Sequence, residues 1–140
     1  MDELMRARQC ADTMMANDKS SQALGIRVDV PAAGEAVATM TVRDDMVNGF
    51  DVMHGGLTFT LADTAFAFAC NAYDNQSVAA SGHIDFLRPA TEGDELTAFA
   101  REDYNGRRSG YYSVEVRNQR DELIALFRGR SARTGQSLLK

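Results

Sequence analysis

Residues 57–70 read LTFTLADTAFAFAC, and Asp63 is the one charged residue among them. His54-Gly55-Gly56 stands directly before this run. A helix N-terminus carries unpaired N–H groups and the positive end of the helix dipole, so it favours negative charge. Glycines, lacking side chains, let another molecule approach that backbone closely. The combination suits the oxyanion that develops when a carbonyl is attacked. The plainer reading of Gly55 and Gly56 is relief of crowding where the chain enters a buried helix. Asp63, flanked by Leu61, Ala62, Ala65 and Phe66, is desolvated on such a helix and needs partners. It either caps a neighbouring loop, accepts a Ser or Thr hydroxyl, or serves as a general base whose pKa burial has raised toward the useful range.

Spacing constrains any joint role. Gly56 and Asp63 are seven residues apart, about 10 Å along a helix axis and about 20° off one line. An aspartate cannot reach back that far to an atom held at its own helix start. If both serve one reaction, Asp63 of one chain works with the glycine N–H groups of another. Two such helices packed antiparallel across a two-fold would form composite sites at a dimer interface.

A third feature is the arginines. They are thirteen of the fifteen basic residues, and nine fall between Arg88 and Arg133. Arginine suits phosphate through planar, multiple hydrogen bonding. Eight acidic residues between Glu92 and Glu122 share the region, so solvated faces and ion pairs account for most of them. Other chemistries are poorly represented. Two histidines and two cysteines without close spacing make no zinc site, and no GxSxG elbow or Walker motif is present. Cys70, at the end of an apolar helix, reads as packing rather than as a nucleophile.

These residues need elements to position them. Residues 2–17 read as an amphipathic helix, with Leu4, Met5, Ala11, Met14 and Met15 on its loose apolar side. A short helical turn follows near Ser20–Leu24 and ends at Gly25. Period-2 alternation and the turn Pro31–Gly34 predict a hairpin over 26–43, with Ala36, Ala38, Met40 and Val42 on one face. Asp44–Met53 is polar and irregular, and the apolar helix occupies about 55–72. Four strands close the chain: SVAASGHIDFLRP, ELTAFAREDY, YYSVEVRN and LIALFRGRSART. Six strands joined by short turns predict one antiparallel sheet, and a helix apolar almost all round must be wrapped by it. The predicted class is α+β: a six-stranded antiparallel sheet around one long central helix, with an N-terminal helical segment over 1–24.

Composition sets the remaining bounds. With 140 residues, 44% hydrophobic and 25% charged, the chain is expected to form a single domain over 1–140. A net charge of −5 argues against nucleic acid as a partner. The 14-residue apolar run is too short to span a bilayer, which takes about 20 residues. Two cysteines and a charged start without a signal-like apolar core point to a cytoplasmic chain.

The segments NGFDVMHGGLTFTLADTAFAFACN, IDFLRPA and ALFRGRSARTG together resemble the hotdog-fold acyl-CoA thioesterases, and within them the phenylacetate-degradation, PaaI-type branch. The resemblance runs from the ALGI of residues 23–26 to about Gly135. It implies Asp63 as the catalytic carboxylate, either general base for water or direct nucleophile on the thioester. It implies that the Gly55 N–H, at the Gly55-Gly56 pair, polarises the carbonyl. Asn48 and His54 then line the site and help hold the thioester or the water, and Thr64 contacts the acyl group. Arg88 and the turn Arg107-Arg108-Ser109-Gly110 lie near the coenzyme A nucleotide. The IDFLRPA segment supports the resemblance from outside the site. Paired helices across homodimers are implied, and dimers joined into tetramers. No metal or organic cofactor is implied, coenzyme A being part of the substrate. Phe50 stands where relatives often carry a polar residue, and His83 where Thr is common. Both are candidates to line the acyl pocket, although His83 reads better as a histidine on the solvent face of a strand.

The expected function is hydrolysis of an aryl or hydroxyaryl acyl-CoA to free acid and coenzyme A, in aromatic-acid breakdown. Two alternatives remain. One is a hotdog hydratase or dehydratase using His54 and Asp63 as the acid–base pair. The other is a dimeric module that binds acyl-CoA without turnover.

Overall fold

The computed structural model describes residues 1–140. Helix α1 (Glu3–Asn17) starts where the Asp2 carboxylate accepts from the Met5 N–H at 2.7 Å. Asp18 caps the short helix α2 (Lys19–Ala23) in the same way, accepting from Ser21 N at 3.0 Å. The strands are β1 (Arg27–Ala32), β2 (Glu35–Thr41), β3 (Ser77–Phe86), β4 (Glu95–Asn105), β5 (Ser109–Arg117) and β6 (Leu123–Arg133). The central helix is α3 (Gly55–Cys70), two residues shorter at its end than the apolar pattern predicts. Asn71 explains that end. Its amide donates to Ala67 O (2.9 Å) and Ser77 O (3.0 Å), and its Oδ1 accepts from Ser77 N (2.8 Å). One buried side chain thus stops the helix and sets the start of β3.

The strands form one antiparallel sheet in the order β1-β2-β4-β5-β6-β3. The alternation read from β2 holds: Ala36, Ala38, Met40 and Val42 are all buried. So are Leu96, Ala98 and Ala100 of β4, and Tyr112, Val114 and Val116 of β5. These inner faces curl around α3, whose Leu61, Ala62, Ala65, Phe66 and Ala69 are essentially fully buried. Burying a side chain such as Phe66 contributes about 1.5–3 kcal/mol. Sheet and helix approach closely where glycines permit it. Gly82 and Gly129 are paired across β3 and β6, and a Cβ on Gly129 would lie 3.0 Å from the Phe66 ring.

Helix α1 lies against β1, with Ala7 and Cys10 as its innermost residues. Met5, expected on its apolar side, is exposed. At the other edge of the sheet β3 is open, and its residues from Val78 to Phe86 are exposed except for half-buried Ile84.

Candidate active site

The site starts in the irregular segment before α3. A bridge between Val47 and Met53 closes a small loop. Within it, Asn48 Oδ1 accepts from Phe50 N at 2.8 Å and from Val52 N at 3.4 Å. His54 N donates to Met46 O at 2.9 Å, and Met53 N donates to Ala90 O at 2.7 Å. These bonds tie the loop to the segment after β3 and fix the entry of α3. Asn48 therefore organises the loop through its carbonyl, which leaves its amide to donate elsewhere.

His54 is the N-cap residue and its side chain makes no capping bond. Its carbonyl accepts from Leu57 N (3.0 Å) and Thr58 N (3.4 Å), while the N–H groups of Gly55 and Gly56 have no acceptor in the chain. Two free donors at the positive end of a 16-residue helix make an oxyanion-binding arrangement. The two glycines differ in what surrounds them. A Cβ on Gly55 would come within 2.9 Å of the Phe86 ring, whereas one on Gly56 would meet nothing within 4 Å. Crowding inside the chain accounts for Gly55 and not for the exposed Gly56.

Asp63 lies two turns further along α3, half-buried, with its carboxyl raised above the ordinary 3.8 by desolvation and by nothing else. No hydrogen bond and no cation within the chain offsets that burial, so the loop-capping and hydroxyl-accepting roles are absent. An unpartnered carboxylate of raised pKa is a functional candidate on physical grounds. Thr64 points elsewhere: it is buried, and its hydroxyl donates to Thr60 O at 2.7 Å. Within one chain it lies on the core side of α3. Half-exposed positions recur along the other side of the helix at Thr60, Asp63 and Ala67, below exposed Gly56.

A pocket of about 370 Å³ opens beside the helix start, between it and the segment after β3. Gly55, Thr58, Phe86, Arg88 and Ile124 are among its lining residues. The IDFLRPA segment, expected outside the site, thus forms one of its walls. Phe86 and Thr58 were not legible as site residues: the predicted strand ran on through Pro89, whereas β3 ends at Phe86.

The arginines do not converge. Arg88 lies at the pocket and pairs with Glu122 at 3.1 Å. Phe86 pairs with Ala125 on β6, but Ser109 pairs with Ala132, so the Arg107-Arg108-Ser109-Gly110 turn sits roughly 23 Å from that end of the sheet. Arg88 and this turn cannot hold one nucleotide within a single chain. Gly110 is built into the hairpin, its N–H donating to Ser131 Oγ at 3.0 Å.

His83 sits on the outer side of β3, its side chain 75% exposed and 3.3 Å from Asp85, with the sheet between it and α3. That is a solvent-face position, where His83 lines open grooves on the outer side of the sheet with Arg128 and does not border the pocket at Gly55. Phe50 is 87% exposed on the loop before α3. Burial pushes the Cys70 thiol up to about 12, which leaves it an inert packing group. No three His, Cys, Asp or Glu side chains converge to hold a metal ion.

A family model described as the thioesterase superfamily matches residues 50–125, the stretch that carries both the glycine pair and Asp63. The chain belongs to the thioesterase superfamily. Its fold is that superfamily's hotdog. Acyl-coenzyme A thioesterase PaaI of Escherichia coli is 47% identical over 133 residues, covering 95% of each chain. The solved structure of the E. coli PaaI protein matches with a TM-score of 0.95 at 46% identity, over 97% of this chain and 99% of that one. A mutant PaaI from Thermus thermophilus matches with a TM-score of 0.79 at 40% identity, over 83% and 99%. A Streptococcus mutans protein solved bound to acetyl-CoA matches with a TM-score of 0.76 at 25% identity, over 80% and 90%. Membership of the superfamily, with a PaaI thioesterase this similar, makes the chain a hydrolase acting on thioester bonds.

Proposed function

We propose that the protein hydrolyses the thioester of an aryl or hydroxyaryl acyl-CoA, releasing the free acid and coenzyme A, in phenylacetate or related aromatic-acid breakdown. The observation that carries the mechanism is Asp63, a half-buried carboxylate with raised pKa and no partner in its own chain. The substrate class is supported by the likeness to acyl-coenzyme A thioesterase PaaI.

The thioester oxygen is received by the N–H groups of Gly55 and Gly56. Water attacks the carbonyl carbon while Asp63 takes its proton. The tetrahedral intermediate then expels the coenzyme A thiolate, which is protonated on leaving. Direct attack by Asp63, through an anhydride, uses the same residues. Asn48 offers its amide, and His54 stands beside the glycines. Because Asp63 is about 10 Å from Gly56 along α3, the two act together only across a homodimer. The exposed β3 edge and the Gly56-Thr60-Asp63-Ala67 side of α3 are the surfaces a second copy would cover, and dimers join into tetramers. No metal or organic cofactor takes part. No helix is long and apolar enough to cross a membrane, and we place the enzyme in the cytoplasm.

Free-thiol release over phenylacetyl-, hydroxyphenylacetyl-, benzoyl- and straight-chain acyl-CoAs tests the reading, with Asp63→Ala as control. Thiol release that favours the aryl esters and disappears in Asp63→Ala is the expected result. An unsaturated product without free thiol would move the assignment to a hydratase. Tight binding without turnover would make the chain a binding module.

A further inference from the structure

Phe86 is the last residue of β3, where it pairs with Ala125. The next two backbone N–H groups, of Leu87 and Arg88, both donate to Ile124 O, at 2.9 and 3.2 Å. Ala90 O accepts from Met53 N at 2.7 Å. The backbone on the far side of Phe86 is thus anchored to β6 and to the loop before α3. The ring itself is 55% exposed and leans on the first residue of α3. An added Cβ at Gly55 would lie 2.9, 3.1 and 3.4 Å from its Cζ, Cε1 and Cε2.

Gly55 does not have a positive φ, so its backbone conformation makes no demand for glycine. The Phe86 ring does. We propose that Phe86 is a positioning residue of the oxyanion site: seated against Gly55, its ring keeps water off the Gly55 N–H and holds the pocket wall against which the thioester carbonyl comes to rest. A hydrogen bond from N–H to a developing oxyanion strengthens as water is removed from around it. An apolar ring removes water without supplying a competing donor or acceptor. Gly56, with open space where its side chain would be, leaves the second N–H accessible. Gly55 is therefore glycine on account of Phe86, and Gly56 on account of what approaches from outside the chain. The inference rests on the thioesterase reading and adds to it a residue that acts through Gly55.

The test is a double-mutant cycle read in kcat for thiol release, with KM, Tm and coenzyme A affinity recorded beside it. Gly55→Ala keeps the N–H and the helical backbone, and displaces only the far end of a half-exposed side chain. It should lower kcat about 100-fold, the scale of a displacement of about 1 Å at a reacting centre, while Tm stays level. Phe86→Ala should cost a similar factor in kcat with little change in coenzyme A affinity, and Phe86→Leu, still apolar, should recover most of it. Adding Gly55→Ala to Phe86→Ala should cost less than about threefold more, since no ring is left to displace. Losses that multiply in the double variant overturn the proposal, as does Phe86→Ala with wild-type kcat or with a lowered Tm alone. A wild type that releases no thiol from any acyl-CoA overturns the thioesterase reading and the positioning role with it. An active wild type with an additive cycle overturns the positioning role alone.

Discussion

Asp63 carries opposite consequences for activity and for stability. Its pKa is raised by desolvation with no compensating partner, so the fold prefers the protonated form. The stability this group contributes is present below the ordinary carboxylate value of 3.8, and is lost as pH rises through the higher folded-state value. As general base in the proposed reaction Asp63 acts in its ionised form, so activity should rise over the same interval. Asp63→Asn, which cannot ionise, should raise Tm at neutral pH and leave it nearly unchanged near pH 3, by thermal melts across pH. The same variant should lose about 10²–10⁴-fold in kcat. Equal Tm values for wild type and Asp63→Asn at neutral pH would contradict the uncompensated burial. Cys70 is a contrast, because its buried thiol is pushed up to about 12. Cys70→Ala should leave kcat within about twofold, since an inert packing group contributes to the core and not to the reaction. The carboxylate's peculiarity was legible as an aspartate in an apolar run. Its lack of a partner was not, because hydroxyl and amide donors elsewhere in the chain could have reached it.

At the scale of elements, the inner faces of β2 and β5 and the apolar α3 followed from period and composition alone. Two-residue alternation needs a buried side, and a helix apolar all round needs a wrapping. What the pattern did not show was which strand end meets which helix end. Phe86 and Gly55 are 31 residues apart, and they meet only because β3 is the outermost strand, beside β6 rather than β4. The same topology separates, within one chain, Arg88 from the Arg107-Arg108 turn, which the family resemblance had grouped. Arg88→Ala should therefore raise KM for acyl-CoA about tenfold, one charge-assisted hydrogen bond's worth, with kcat little changed and the effect shrinking at high salt. An unchanged KM would remove Arg88 from the substrate site. Asn71 holds the other end of α3. Asn71→Ala strips the partners from Ser77 N and O and should cost about 1–3 kcal/mol in denaturant unfolding, with faster amide exchange at the start of β3. A loss of only a few tenths would show that water replaces the side chain there.

For the whole molecule, the proposed reaction joins two groups that one helix keeps apart. The glycine N–H groups stand at the start of α3 and Asp63 about 10 Å along it, on a side that is left half-exposed. The sequence already implied that distance, since helix rise is fixed. The structure adds the uncovered β3 edge and the unpartnered carboxylate. In the proposed enzyme a second copy completes the site, and mixed dimers test this. Asp63→Ala chains and Gly55→Pro chains, each inactive alone, are co-expressed with different tags, and the mixed dimer is purified and assayed for thiol release. Shared sites place both defects in one site and leave the other intact, so the mixed dimer should show about half the wild-type turnover per dimer. Sites contained within single chains would each carry one defect, and a mixed dimer without activity would rule out the shared site.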